Sequence, residues 1–207
     1  MEQKYNVIII GAGNIGAFYD SPASDEILTH AHAFTKHNGF NLIGFVDSEI
    51  EKAKKAVSIW EGKAFNNIEE AFNSSRIDVA VIAVPDDFHY LILKELSRFP
   101  IKLIFAEKPI TKSISEAEEI LKIFKNKDIG IAVNYTRRFV PEFEKIKKDI
   151  IEGVYGAYLT GTGYYGKGIM HNGSHLIDLL RLFIGEIKEI KPVNRIADFY
   201  EDDKSVS

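Results

Sequence analysis

The 207-residue sequence contains no cysteine, one tryptophan and two methionines. The absence of cysteine excludes disulfide bonds and cysteine-ligated metal sites, and it is typical of a cytosolic protein. No apolar run approaches the ~20 residues that a membrane span needs. The N-terminus also lacks the charged region and apolar core of a signal peptide. We therefore expect a cytoplasmic protein with no membrane partner.

Neither sign of charge dominates the chain. Lysine and arginine number 26 and aspartate and glutamate 30, which gives a formal net charge of −4. Both signs are interspersed, so the basic patch expected of a nucleic-acid-binding protein is missing. The apolar fraction of 45% and the charged fraction of 27% are ordinary for a globular protein. No nucleic-acid partner is expected.

An apolar run near the N-terminus leads directly into a glycine pattern. Val7–Ile10 is rich in β-branched residues and predicts a strand buried on both faces of a parallel sheet. In the G-x-G-x-x-G pattern that follows, Gly11 allows a tight turn and Gly13 lets a pyrophosphate approach the backbone. Gly16 lets the next helix pack against the strand. A glycine-rich turn without a ligand is the alternative.

The segment after the glycines departs from the simplest nucleotide-binding unit. A helix that begins at Asn14 and Ile15 would point its free N–H groups at the phosphates. The turn-rich stretch 20–25 should interrupt this helix, which resumes around 29–37. His30 and His32 in the resumed helix have a spacing seen in metal sites, but a third ligand is lacking and no metal is predicted.

Asp47 ends the second predicted strand, Asn41–Val46. An acidic residue at this place accepts hydrogen bonds from the adenosine ribose hydroxyls. It lies 31 positions after Gly16, against the ~20 usually found, and an insertion over 20–29 explains most of the excess. No arginine follows to meet a 2′-phosphate, so NAD is favoured over NADP. An aspartate that merely ends a strand is the alternative.

Strands and helices alternate five times before residue 135. Further strands are predicted at 77–84, 101–106 and 129–133, and helices at 49–60, 68–72, 86–98 and 114–124. This alternation predicts an α/β fold with a doubly wound parallel sheet, the Rossmann arrangement. We assign residues 1–135 to this dinucleotide-binding domain.

The pattern changes after Tyr135. Helices are predicted at 141–152 and 174–184, and extended strands at 155–165 and 187–199. The last strand would leave an exposed sheet edge, and about 70 residues are few for a ligand-enclosing domain. We therefore expect residues 136–207 to begin an incomplete α+β domain in a truncated chain. A degenerate relative, or a sheet completed by a partner, are the alternatives.

Several motifs together resemble one family, the Gfo/Idh/MocA oxidoreductases, over nearly the whole chain. They are Gly11-x-Gly13-x-x-Gly16, Asp47, Val84-Pro85-Asp-Asp-Phe-His89, Glu107-Lys108-Pro109-Ile-Thr111, Arg137-Arg138-Phe139 and Gly173-Ser-His175-Leu-Ile-Asp178. The resemblance implies a Rossmann domain, a second α/β domain with the substrate site, and often a homo-oligomer. It also implies a nicotinamide cofactor and a sugar, cyclitol or sugar-nucleotide substrate. Cofactor contacts are implied at Pro85, His89, Glu107 and Lys108, and a cis bond before Pro109.

The implied chemistry agrees with the residue types. Oxidation of a secondary alcohol transfers a hydride to the nicotinamide and removes the hydroxyl proton. His175 has a side chain that titrates near ~6.5 and could take that proton. Lys108 follows a strand at the carboxyl edge of the sheet, where ligands bind. Its ammonium could stabilise negative charge on the reacting oxygen.

One position departs from the family pattern. Where the family commonly has an aspartate four residues before the histidine, this chain has His171. An imidazole cannot simply replace a carboxylate that orients a basic histidine. We favour a shared role of His171 in proton transfer; a different substrate or lost chemistry are the alternatives.

The alternative function of the chain as a whole is that of a non-catalytic dinucleotide-binding sensor or subunit.

Overall fold

A computed structural model describes residues 4–197 and 199–207. The chain divides into two compact units, Met1–Asn134 and Tyr135–Ser207. The first unit contains six strands: Tyr5–Ile10 (β1), Phe40–Val46 (β2), Lys63–Phe65 (β3), Val79–Ile82 (β4), Leu103–Ala106 (β5) and Gly130–Val133 (β6). They form one parallel sheet in the order β3-β2-β1-β4-β5-β6. The predicted doubly wound sheet is confirmed.

Helices cover both faces of this sheet. They are His30–Lys36 (α1), Ile50–Trp60 (α2), Ile68–Ser74 (α3), His89–Leu96 (α4) and Ile114–Phe124 (α5). In β1, Val7 and Ile9 pack in the core beneath α1 and α2, while Ile8 and Ile10 pack in the core beneath the other helices. All four are at most 3% exposed. The uninterrupted apolar run is therefore explained by burial on both faces.

The helix starts are set by local capping. The side chain of Thr29 accepts a hydrogen bond from the His32 N–H at the start of α1. Ser113 does the same for the Glu116 N–H at the start of α5. In the first unit the sequence did not predict β3, a strand of only three residues. In the described residues, no helix is both long enough and apolar enough to cross a lipid bilayer.

The second unit contains two helices, Pro141–Ile151 (α6) and Ser174–Phe183 (α7), close to their predicted limits. Two short strands, Arg195–Ile196 (β7) and Ser205–Val206 (β8), pair antiparallel. The predicted strand at 155–165 is wrong, because that segment has no regular secondary structure and is mostly exposed. Of the predicted strand at 187–199, only β7 forms; Asp198 lies outside the described residues.

Candidate functional site

The three glycines after β1 have different environments. Gly11 has a φ of +101°, and a Cβ there would lie 2.5 Å from the Ala83 carbonyl oxygen. A Cβ on Gly16 would collide with the carbonyl oxygen of Gly11. Gly13 has a φ of −92°, and no described atom lies within 4 Å of the place its Cβ would take. The fold thus needs Gly11 and Gly16, whereas Gly13 leaves open space above the backbone.

The helix expected at Asn14 is a single turn of π type, Asn14–Phe18. Asn14 is exposed and Ile15 is half-buried on this turn. The indole of Trp60, in α2, donates a 2.8 Å hydrogen bond to the Ala17 carbonyl oxygen. This bond holds the turn against the helix layer directly behind the glycines.

The insertion after this turn is anchored by one buried carboxylate. Asp20 accepts hydrogen bonds from the Leu28 N–H at 2.6 Å and the Thr29 hydroxyl at 2.5 Å, and it lies 2.8 Å from Nδ1 of His32. Burial alone would raise the pKa of Asp20, but these hydrogen bonds outweigh it and hold the pKa below its usual value. The sequence considered His32 only as a metal ligand and missed this pair. Among the residues that the structure describes, no group of three or more candidate ligands could hold a metal ion.

Asp47 lies at the glycine turn, where its hydrogen-bond partner is Ala12, 35 positions earlier in the chain. One carboxylate oxygen accepts the Ala12 N–H at 2.9 Å, and the other accepts the Glu49 N–H at 2.9 Å. Glu49 is in turn 2.6 Å from the ammonium of Lys52. Two carboxylates therefore stand where β2 ends, at the carboxyl edge of the sheet.

A cleft of about 580 Å³ opens beside these residues. Gly11, Gly13 and Asp47 lie on its polar side, and Pro85, Phe88 and Leu91 contribute to its apolar side. Phe88 and Leu91 are exposed. The cleft lies at the point where the chain switches from one side of the sheet to the other, which is where open α/β sheets bind ligands. A carboxylate for ribose hydroxyls, open backbone for phosphates and an apolar wall for a base fit a dinucleotide.

His89, at which the resemblance implies a cofactor contact, is held inside the protein. The residue is 1% exposed, and its ring has Nδ1 2.7 Å from the Pro109 carbonyl oxygen and Nε2 3.0 Å from that of Val84. The peptide bond between Lys108 and Pro109 is cis, as the resemblance implies. His89 thus joins the loops after β4 and β5 from inside.

Glu107 is held by two side chains that are distant in sequence. Its Oε1 lies 3.0 Å from His30 Nε2 and accepts the Asn134 amide at 2.7 Å. Burial would raise the pKa of Glu107, but the hydrogen bonds from His30 and Asn134 hold it below its usual value. Lys108, which follows, is half-buried. Within the described part of the first unit, no hydrogen bond or ion pair engages its ammonium.

The second unit contains His175 in α7. The ring of Tyr135 packs edge-on against His175 at 5.9 Å. Asp178, in the same helix, accepts the Arg138 Nε–H at 2.8 Å and is buried. Burial raises the pKa of Tyr135, with a further contribution from the Asp178 charge. The Arg-Arg-Phe motif thus contributes the partner of Asp178.

His171 lies on a single helical turn, Gly168–Gly173, that leads into α7. Its Nδ1 is 2.7 Å from the Asp203 carboxylate, and its ring stacks on Tyr200 with 4.1 Å between centroids. The sequence did not single out Asp203. His171 and His175 belong to the second unit, and Lys108 belongs to the first.

A family model described as "Oxidoreductase family, NAD-binding Rossmann fold" matches residues 5–135. NAD, the cofactor predicted from Asp47, agrees with that description. An inositol 2-dehydrogenase from Corynebacterium glutamicum is 25% identical over 167 residues, which are 80% of this chain and 46% of that protein. The chain thus spans about half the length of the curated relatives it matches.

Two further similarities are to a curated repressor and to a solved enzyme structure. A redox-sensing transcriptional repressor Rex from Thermosipho africanus is 30% identical over 110 residues, which cover 53% of this chain and 48% of the repressor. The structure of a myo-inositol dehydrogenase from Lactobacillus casei, in complex with NAD(H) and myo-inositol, superposes with a TM-score of 0.69 at 20% identity. It covers 87% of this chain and 55% of that enzyme, and at this identity it shows the shared fold.

Proposed function

Because the chain belongs to the GFO_IDH_MocA oxidoreductase family, we propose that it is an NAD(H)-dependent oxidoreductase. Its reaction transfers a hydride between the nicotinamide and a secondary alcohol of a sugar, cyclitol or sugar nucleotide. The observation that carries the proposal is the open backbone at Gly13 beside the Asp47 carboxylate. Residues 1–135 form the nucleotide domain, and 136–207 belong to a substrate and dimerisation domain of a cytoplasmic homo-oligomer.

In this proposal the cleft orients the cofactor. The Asp47 carboxylate accepts hydrogen bonds from the adenosine ribose, and Gly13, Asn14 and Ile15 face the pyrophosphate. A 2′-phosphate would meet the charges of Asp47 and Glu49, so NAD is preferred to NADP. Pro85, His89, Glu107 and Lys108 shape the nicotinamide end; His89 and Glu107 act through the loops they hold together.

The catalytic roles fall on three side chains. Bound NAD supplies the hydride acceptor. Lys108 donates a hydrogen bond to the reacting oxygen and stabilises the negative charge that develops there. His175, with His171 sharing the task, accepts the hydroxyl proton. Within the described residues of the first unit, the ammonium of Lys108 has no hydrogen-bond or ion-pair partner, which supports this assignment.

The test combines binding with turnover. NADH fluorescence is titrated with the protein, and NAD⁺ reduction is followed with myo-inositol, simple sugars and sugar nucleotides. Lys108→Met should lower turnover by roughly 10²-fold or more and change NADH affinity far less, because its ammonium acts on the reacting oxygen. Lys125→Met, an exposed lysine near the end of α5, should match the wild type in both measurements. Absence of NADH binding would overturn the proposal.

Cofactor selectivity is tested at Asp47. Asp47→Asn removes the charge that accepts the ribose hydroxyls, so NADH affinity should fall by ~1.5–3 kcal/mol, roughly tenfold to 150-fold. The preference for NADH over NADPH should shrink at the same time. Asp128→Asn changes an exposed aspartate before β6 and serves as the charge-matched control. Equal NADH affinity in both variants would contradict the role of Asp47.

A second candidate function is dinucleotide sensing without catalysis. The similarity to a redox-sensing repressor over 53% of the chain favours it. A sensor would bind NADH as strongly as the enzyme but turn over none of the alcohols. Wild-type turnover that Lys108→Met abolishes would exclude this candidate.

A further inference from the structure

Three hydrogen bonds converge on the buried carboxylate of Asp203. One oxygen accepts the Met170 N–H at 2.9 Å. The other accepts the His171 N–H at 3.0 Å and lies 2.7 Å from His171 Nδ1. The residue is 5% exposed. Burial would raise the pKa of Asp203, but the hydrogen bonds outweigh it and hold the pKa below its usual value, so the group is a carboxylate at neutral pH.

This contact determines which ring nitrogen of His171 carries a proton. A carboxylate only accepts hydrogen bonds, so the short contact requires a proton on Nδ1. In the neutral ring, Nε2 then has the lone pair and is the basic atom. The ring plane is fixed by stacking on Tyr200, at 4.1 Å and an interplanar angle of 16°. The Ser174 hydroxyl also donates to the His171 carbonyl oxygen at 2.7 Å, which holds the backbone.

The same environment leaves the ring accessible. The His171 side chain is 31% exposed, whereas that of its partner is 5% exposed. The carboxylate thus orients the imidazole, while part of the His171 side chain stays open to a ligand. A buried carboxylate behind an accessible imidazole is the arrangement that makes a histidine an oriented base.

We infer that Asp203 is a positioning residue that holds His171 with Nε2 as its basic atom, the atom through which His171 takes its share of the proton transfer proposed with His175. This inference rests on the proposed function. The O–H bond breaks and its proton forms a bond to Nε2, while the carbon-bound hydrogen leaves with its electron pair to the nicotinamide. A carbonyl forms on the substrate. The imidazolium that results is paired with the Asp203 charge.

The first test reads the tautomer directly and requires no turnover. Long-range ¹H–¹⁵N spectra of the imidazoles are recorded at alkaline pH, and His171→Gln assigns the signal. The wild type should show His171 protonated on Nδ1. Asp203→Ala should move the signal to the Nε2–H form that a solvated histidine prefers, whereas Glu201→Gln, a nearby exposed carboxylate, should not change it. An Nε2–H signal in the wild type would overturn the inference even if Asp203→Ala fails to fold.

The second test measures turnover with NAD⁺ and the same alcohols as probes. Asp203→Ala should lower kcat by roughly 10²-fold and leave KM unchanged, because Asp203 acts through His171. An unchanged kcat would overturn the inference. If the wild type turns over none of the alcohols, the proposed function fails, and the tautomer spectrum still decides the role of Asp203.

Discussion

Replacing Gly13 by alanine should separate the fold of the glycine turn from its ligand. Gly13 has φ −92° and ψ −165°, an extended conformation that alanine adopts without strain. No described atom lies within 4 Å of the new Cβ. Because alanine restricts the unfolded chain more than glycine does, the free energy of unfolding should rise by ~0.4–1 kcal/mol.

Nucleotide binding should change in the opposite direction. The added methyl group occupies the space that the proposal gives to the pyrophosphate. Forcing one extra methyl into a filled site costs ~1–3 kcal/mol, so the Kd for NADH should rise roughly fivefold to 150-fold. A variant that is more stable yet binds more weakly is the specific signature of a ligand-facing glycine.

The assay pairs urea unfolding with an NADH fluorescence titration. Gly130→Ala is the matched control, because Gly130 begins β6 at the amino edge of the sheet, away from the cleft at the carboxyl edge. A Cβ there would touch only the Leu103 side chain, at 3.3 Å, and the Lys102 carbonyl oxygen, at 3.6 Å. NADH binding by Gly13→Ala with the wild-type Kd would refute the reasoning. A lower free energy of unfolding for Gly13→Ala would show that the space above Gly13 is not open.

Two further predictions concern ionised pairs. The pKa of Glu107 in the folded protein lies below its usual 4.5. The ionised carboxylate therefore stabilises the fold fully above pH 4.5, and this contribution is lost as the pH falls through the pKa of the folded state. The difference in free energy of unfolding between wild type and Glu107→Gln, measured with urea, should therefore narrow below that pH. Glu118→Gln, at an exposed position, is the control. A difference that stays constant with pH would contradict the prediction. Arg138→Ala should lower the free energy of unfolding by ~1–3 kcal/mol, because Asp178 loses its partner. The exposed Arg137→Ala should not, and equal losses would show that the pair contributes nothing.

The sheet could be predicted because its signals are local. Val7–Ile10 is apolar at every position since both faces are covered, and the glycines follow at once. The Asp47 position could be predicted for the same reason, because it ends a strand. The strand Lys63–Phe65 was missed because three residues are too few to show a period. The segment 155–165 alternates like a strand, but a strand also needs a neighbour to pair with.

The ionic partners within the site could not be predicted. His30 and Glu107 are 77 positions apart, and His171 and Asp203 are 32 apart. Each pair meets because the fold brings distant loops together, and no local spacing signals that meeting. The sequence therefore indicated the histidines as candidates, while the structure supplied the carboxylates that hold them.

The indole behind the glycine turn has an optical consequence. Trp60 is the sole tryptophan of the chain, it donates to Ala17 of the turn, and its ring lies 5.4 Å from that of His32 in the anchored insertion. Fluorescence excited selectively in tryptophan therefore comes from this one side chain behind the glycine turn. A bound reduced nicotinamide would accept that energy, and a loosened insertion would expose the indole to water. One unlabelled fluorophore can therefore report both NADH binding at the cleft and the packing of the insertion against the indole.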